Sequence, residues 1–425
     1  MSDASRPRLA RKGILPAGAL AAALIALLAV APFASAATPN PLASGTTTMT
    51  LQKSFTNYLK TFGISVSKIS PAKLSGGKAT FKVTGGSLEV NGKGTVDLGG
   101  GLKFKAGKKS ATVKGLVLDT KKKALTGKVG GTKVKIASIA GWSSSRKGFG
   151  INLKINKVKL TNAGATQLNK KLGFSKGKPK PFLGNKLIAK ATSETEPATV
   201  NVLPIGNMTF SGSPVLLTKL NNVKVNLQLL GLTQQTGTTF TGPILGGTVS
   251  PLGTAGVVQS GIGLNLVQNL PTKSAPISTT ITLGGMYVDL AAKTATVEVV
   301  AVSNAESGGK KPLNLGALGR SSIADITVTG VNADPTTRTV NISAAAVLQA
   351  VSAEVLQGFV SVYKGYSEEV VYQTVKGEAE LGGKTPQEAD ELGKAAAKKQ
   401  GEDVAKNQIS AGEALGTFSF TAQAE

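Results

Sequence analysis

The chain contains no cysteine and no histidine in 425 residues. That removes disulfides, zinc and iron–sulfur sites built on those ligands, histidine-ligated haem, and the Ser-His-Asp and Cys-His nucleophile systems. A thioether-linked lipid anchor is excluded as well. Aromatics are sparse at 4%, with a single Trp. Stacking platforms of the kind that hold single-stranded nucleic acid are therefore scarce, and no nucleic-acid partner is expected. Acidic side chains are thin in the first half: residues 37–200 hold five Asp or Glu against thirty Lys or Arg. No paired-carboxylate chemistry is visible there. No Gly-x-Ser-x-Gly elbow occurs. Beyond the first 36 residues no apolar run is long enough to cross a bilayer. The chain reads as a binding protein rather than an enzyme.

What is present begins with a leader. Arg6, Arg8, Arg11 and Lys12 precede an Ala/Leu-rich stretch from about Ile14 to Val30, and small residues at Ala34 and Ala36 fit a cleavage site. This three-part pattern predicts a secretory signal peptide over 1–36. The expected product is secreted, with cell-wall association open, and meets a membrane only through the leader before cleavage. Residues 37–48, polar and rich in Thr and Pro, are expected to be a flexible lead-in.

The remainder is rich in Gly, Thr, Val, Leu and Ala, which favours many short strands. Leu51, Phe55, Tyr58 and Phe62 recur at helical spacing. Alternating strands follow, among them 111–119 and 124–129 about a Thr120–Lys123 turn. Thr161 is placed to cap a helix over 162–172 that stops at Gly173. The second half repeats the plan. Val288-Asp289 through Val299 echoes Leu118-Asp119 through Val129 at an offset of 170, and Val340–Ser343 with the helix after it echoes Val158–Thr161 at an offset of 182. Gly412-Glu-Ala-Leu415 echoes Gly184-Asn-Lys-Leu187. Ordered echoes of this kind indicate an internal duplication. The expected architecture is mainly β: two tandem β-sandwich-like domains over 49–196 and 200–425, each closed by a short helix. The second carries a helical insertion over about 362–408, where Thr385-Pro386-x-Glu388 spells a capping box.

Short motifs carry little. Ser-x-x-Lys occurs at Ser65, Ser75 and Ser307 without companion motifs. Ala72–Ala79 nearly spells a phosphate loop, but Ala79 stands where a magnesium-binding hydroxyl is needed, so it reads as a turn.

Ser54-Phe55-x-x-Tyr58, the glycine-rich strands Gly94-Thr-Val to Gly101-Leu-Lys-Phe, and Leu160-Thr161-Asn-Ala-Gly164-Ala together resemble the HtaA domain family. These are secreted or surface-anchored haem-transport-associated proteins of actinobacteria. The likeness spans about 46–196 and is fainter over 200–425, where Leu415–Phe420 matches best. It implies a two-sheet β-sandwich with short helices, and haem iron bound by a tyrosine that a histidine assists. Tyr58 falls on the tyrosine position. The stretch Phe104–Gly107, where the histidine would stand, has none, and the second copy has no tyrosine at its start. Tyr58 also shares a helix face with Phe55 and Phe62, so a packing role fits it equally.

The net charge of +26 is segregated: residues 37–200 carry +25 and residues 201–425 carry −2. A field confined to one domain attracts anionic ligands. Two functions stay open. One is a haem-binding surface protein with Tyr58 as axial ligand; the other is an envelope protein that lost haem and holds anionic cell-wall polymer on its basic first domain.

Overall fold

A computed structural model describes residues 38–174, 179–272, 275–305 and 316–425. The expected leader lies outside the described residues. The chain is mainly β, in two tandem domains. The first comprises β1 (Asn40–Leu51), α1 (Lys53–Thr61), β2 (Ile64–Ile69), β3 (Lys73–Ser75), β4 (Lys78–Leu88) and β5 (Gly94–Ala106). It continues through β6 (Lys109–Asp119), β7 (Ala124–Val129), β8 (Thr132–Lys147), β9 (Gly150–Leu160), α2 (Asn162–Leu172) and β10 (Leu187–Pro197). Neighbours in the order β5-β6-β7-β8-β9-β10-β1-β4 pair antiparallel, and β4 pairs back to β5. The two expected layers are thus opposite walls of one closed sheet. Closure pairs the long strands on both sides and leaves only the short strands β2 and β3 as edges. Alternate side chains fill the interior, with Phe81, Leu88, Leu118, Leu153 and Ile155 fully buried.

Residues 37–48 are expected to be a flexible lead-in, but from Asn40 onward they belong to strand β1. Thr46–Thr50 pair with Lys190–Glu194 on one side and with Lys78–Lys82 on the other. A threonine run reads as polar, yet Thr is a good strand former. Both its partners arrive from distant parts of the sequence, so the local pattern could not show the pairing.

The second domain comprises β11 (Val200–Val202), β12 (Asn207–Gly212), α3 (Pro214–Asn222), β13 (Val225–Leu230), β14 (Gln234–Thr236), β15 (Thr239–Val249) and β16 (Gly256–Ser260). Then come β17 (Gly263–Leu270), β18 (Ile277–Asp289), β19 (Thr294–Ser303), β20 (Gly316–Asp334), β21 (Thr339–Leu348), α4 (Ala350–Leu381), α5 (Pro386–Ala405) and β22 (Ala414–Gln423). Its sheet closes in the same way, through β16 pairing with both β15 and β18.

The duplication is visible in the bulges. Between Lys114 and Val117 the β6–β7 register shifts, and between Gly284 and Tyr287 the β18–β19 register shifts at the same place. Gly115 and Gly285 take φ of +58° and +57° there, a left-handed conformation that suits glycine. The 170-residue offset is therefore structural. The second echo is misregistered: Ser343 lies within β21, and the closing helix begins seven residues later, at Ala350.

That closing helix does not stop where α2 stops. Its first turns pack Ala353, Phe359 and Val360 into the second barrel, and α4 then runs on to Leu381 before α5 folds back along it. The capping box at Thr385 and Glu388 is formed. Ala389, Gly393, Gly401 and Val404 supply the buried face of α5, and the Gly393 backbone lies against the Tyr372 ring. At the base, Lys219 of α3 bonds Glu413 at 2.8 Å and the Gln408 carbonyl at 2.7 Å, fixing the root of the hairpin.

The two barrels meet at the β8–β9 turn. Gly148 lies against Pro335, and Phe149 packs into the second barrel's core. Asn201 bonds back to the Asn40 side chain and the Thr38 carbonyl.

Candidate functional site

Four chain reversals meet at one end of the first barrel. Ile64, the residue after the α1 exit, pairs with Ala106 at the β5–β6 turn. The Lys109 side chain on that turn lies against Gly173, which ends α2. Lys171 of α2 runs its stem along Gly130 of the β7–β8 turn. Lys60, Lys108, Lys109, Lys170 and Lys171 stand around this rim. Part of the pattern is structural, because cations suit the carbonyl ends of α1 and α2.

Tyr58 sits in the last turns of α1. The buried face of that helix is Phe55 and Leu59; Tyr58 and Phe62 flank it and are half-buried. Phe55 touches Phe182 edge-on at 6.2 Å, and Phe182 touches Phe104 at 5.5 Å, so this inner row belongs to the core. A second row runs along the rim: Tyr58 meets Phe62 at 5.2 Å and Phe62 meets Phe174 at 6.0 Å, both edge-on. Edge-to-face contacts of this kind fix the rings without burying their outer faces. The Tyr58 phenol makes no hydrogen bond among the described residues. It is a free oxygen at one end of a half-exposed aromatic ledge beside a basic rim.

The structure brings the Phe104–Gly107 stretch to the same end as Tyr58, since Ala106 pairs at the mouth of α1. The chain has no histidine to place there, and the basic side chains described at this rim are lysines. Phe174, Lys109 and Lys171 join the site without having been singled out in the sequence. They lie 51 to 116 residues from Tyr58, beyond the reach of any local pattern.

The barrel interior cannot serve as a ligand chamber. Its apolar cavity, between Phe81, Phe104, Leu116 and Phe182, measures about 60 Å³. Pockets for drug-sized ligands hold roughly 300–1,000 Å³. A larger groove of about 210 Å³ on the outer wall is lined mostly by polar side chains, among them Ser143, Ser145, Asn152, Lys154, Thr192 and Glu194. No group of three or more acidic side chains placed to hold a metal ion occurs among the described residues. Among them, too, no helix is long and apolar enough to cross a membrane. The Ser75–Lys78 motif spans the β3–β4 turn through Gly76 and Gly77, and that part of the phosphate-loop lookalike is a hairpin turn.

No family model and no curated protein matches the chain. Among solved structures it is similar to the C-terminal domain of HtaA from Corynebacterium glutamicum, with a TM-score of 0.32 and 10% identity over 53% of this chain and 99% of that one. It is also similar to the N-terminal domain of the same protein, with a TM-score of 0.29 and 12% identity over 52% and 97%. Overlaps this slight assign no residue a role.

Proposed function

We propose that this chain is a non-catalytic binding protein of the cell exterior whose first barrel takes haem as cargo on the rim ledge, with Tyr58 as its iron ligand. The supporting observation is the Tyr58 phenol, partly exposed and without a hydrogen-bond partner, at the end of the Tyr58–Phe62–Phe174 row. A phenolate ligates ferric haem without histidine, which suits a chain that has none. Phe62 and Phe174 offer the macrocycle an apolar face. Lysines of the rim, Lys60 and Lys109 among them, offer cations for the propionates. The donor set fits; the barrel interior does not, so the ligand belongs on the outside. The second barrel has no tyrosine in α3 and is not assigned a site.

The test is a hemin titration of the mature chain followed by its Soret band. A saturable red shift is expected, and Tyr58→Phe should weaken binding at least tenfold while leaving the thermal melt in place. A Phe variant that binds as tightly as its parent overturns the ligand assignment.

A second reading has its own support. In the first barrel only Lys121–Glu89 and Lys147–Glu194 form ion pairs among the described residues, so most of its lysines are uncompensated. Such a surface fits an anionic polymer of the cell wall. Retention on isolated walls should then fall steeply between low and moderate salt, because exposed charges are screened; retention that ignores salt would count against it.

A further inference from the structure

The lysines of the first barrel are not scattered evenly. On its outer wall Lys114 of β6 stands directly opposite Lys128 of β7, and Lys128 directly opposite Lys133 of β8. All three are exposed, and none is ion-paired among the described residues. Lys103 and Lys105 on β5 and Lys135 on β8 extend the field, with Ser110, Thr112 and Thr126 opposite them. Adjacent strands are about 4.8 Å apart, so three lysines stand side by side across three strands. Like charges directly opposite one another destabilise a sheet.

The fold does not require this. The second barrel has the same row in the same register: Gly284 of β18 opposite Glu298 of β19, and Glu298 opposite Arg320 of β20. Identical bulges fix the equivalence, since Val117 opposes Thr126 as Tyr287 opposes Thr296. There the row holds opposite charges, with Arg320 stacked 3.6 Å from the Tyr287 ring centre and its Nε donating to Thr296. One duplicated position thus carries Gly-Glu-Arg in one copy and Lys-Lys-Lys in the other.

We infer that the β6–β7–β8 wall of the first barrel is a docking surface for a linear, phosphate-bearing polyanion, with Lys128 at its centre. This rests on the polymer reading above and on none of the side chains assigned to haem. A polymer fits better than a membrane surface. Interfacial binding needs apolar anchors, and Leu183 is the one exposed large hydrophobic side chain among the described residues of the first barrel. It lies on none of these strands but in the segment between α2 and β10. The wall also curves away from a plane, whereas a flexible chain can follow it. With no aromatic side chain on the row, base stacking has no platform.

The experiment measures binding of the mature chain to long-chain inorganic polyphosphate and, separately, to phosphatidylglycerol vesicles, each at two salt concentrations. Lys128→Glu copies Glu298 of the second barrel, so the fold is expected to hold, as far-UV circular dichroism will show. Reversing the central charge removes one attraction and adds one repulsion, and should weaken polyphosphate binding on the order of tenfold. Lys128→Gln should weaken it about threefold and serves if the Glu variant does not fold. Lys190→Glu, on β10 across the barrel, changes the net charge equally and should cost less than about twofold. Equal losses for Lys128→Glu and Lys190→Glu would mean a diffuse field and overturn the assignment. Binding to vesicles but not to polyphosphate would overturn the polymer in favour of lipid. Hemin binding by Lys128→Glu should match the parent, so failure here leaves the Tyr58 assignment standing.

Discussion

Phe149 lies at the tip of the β8–β9 turn and belongs by sequence to the first barrel, yet it is 8% exposed within the core of the second. Replacing it with alanine removes a buried phenyl ring from a junction that Gly148 and Pro335 hold closed. Large-to-small changes of this kind cost about 3–5 kcal/mol when the site cannot collapse. A turn tip can relax more than a core strand, so the lower figure, about 3 kcal/mol, is expected. The loss should fall on the second barrel, because Phe149 takes no part in the first barrel's own cluster. The chain supplies separate probes. Its one tryptophan, Trp142, packs against the first core. Tyr287, Tyr363, Tyr366 and Tyr372 all lie in the second domain, and so does the long helix pair. In Phe149→Ala the tyrosine and 222 nm transitions should fall by roughly 6–12 °C, at about 2–4 °C per kcal/mol for domains of this size. The tryptophan transition should move by much less. If tryptophan fell as far as tyrosine, or neither moved, the junction would not work as described.

In the α4–α5 hairpin, Gly377→Ala adds a Cβ into open space and should stabilise by about 0.5–1 kcal/mol. Gly393→Ala would bring its Cβ to 2.9 Å from the Tyr372 ring and 3.0 Å from the Tyr372 carbonyl, and should destabilise by about 1–2 kcal/mol. Amide exchange along α5 reads both, and protection that changes alike in the two variants would contradict the close approach. The hydrogen bond from Lys121, 2.6 Å away, holds the Glu89 carboxyl below its ordinary value of 4.5. Its contribution is therefore complete above pH 4.5 and is lost as pH falls through the lower folded value. Glu89→Gln should flatten the acid limb of a denaturant-stability profile below that pH, and a profile that keeps its slope would show the pair contributes nothing. For the ledge, Tyr58→Phe should lose the hemin-induced Soret shift while Phe62→Leu only weakens it; equal losses would make Tyr58 one packing residue among others.

The strands with clean alternation, such as 111–119 and 150–160, were legible because an apolar/polar period of two is a local property. So was the α2 helix, whose Thr161 side chain accepts from Gly164 at 3.0 Å and whose stop is Gly173. The Thr385 capping box was equally legible, since it needs only four consecutive residues. The absence of histidine and cysteine limited the chemistry before any fold was known, and the charge count alone assigned the basic character to the first half. Tertiary structure decided the rest. Whether paired layers close into a barrel depends on β1 reaching β10 and on β12 reaching β22, contacts that no short window of sequence contains. Strand β1 was obscured for the same reason. Tyr58 could be named from the family resemblance and set on a helix by spacing, but its exposure could not be read. That was settled by Phe174 arriving from the end of α2 and by Phe55 taking the inward place. The absence of cysteine and histidine restricts which ligand chemistries are open; the register between β6, β7 and β8 decides that Lys114, Lys128 and Lys133 stand abreast. Spacing along a chain fixes which side chains share a strand, while only pairing between strands fixes which charges face each other.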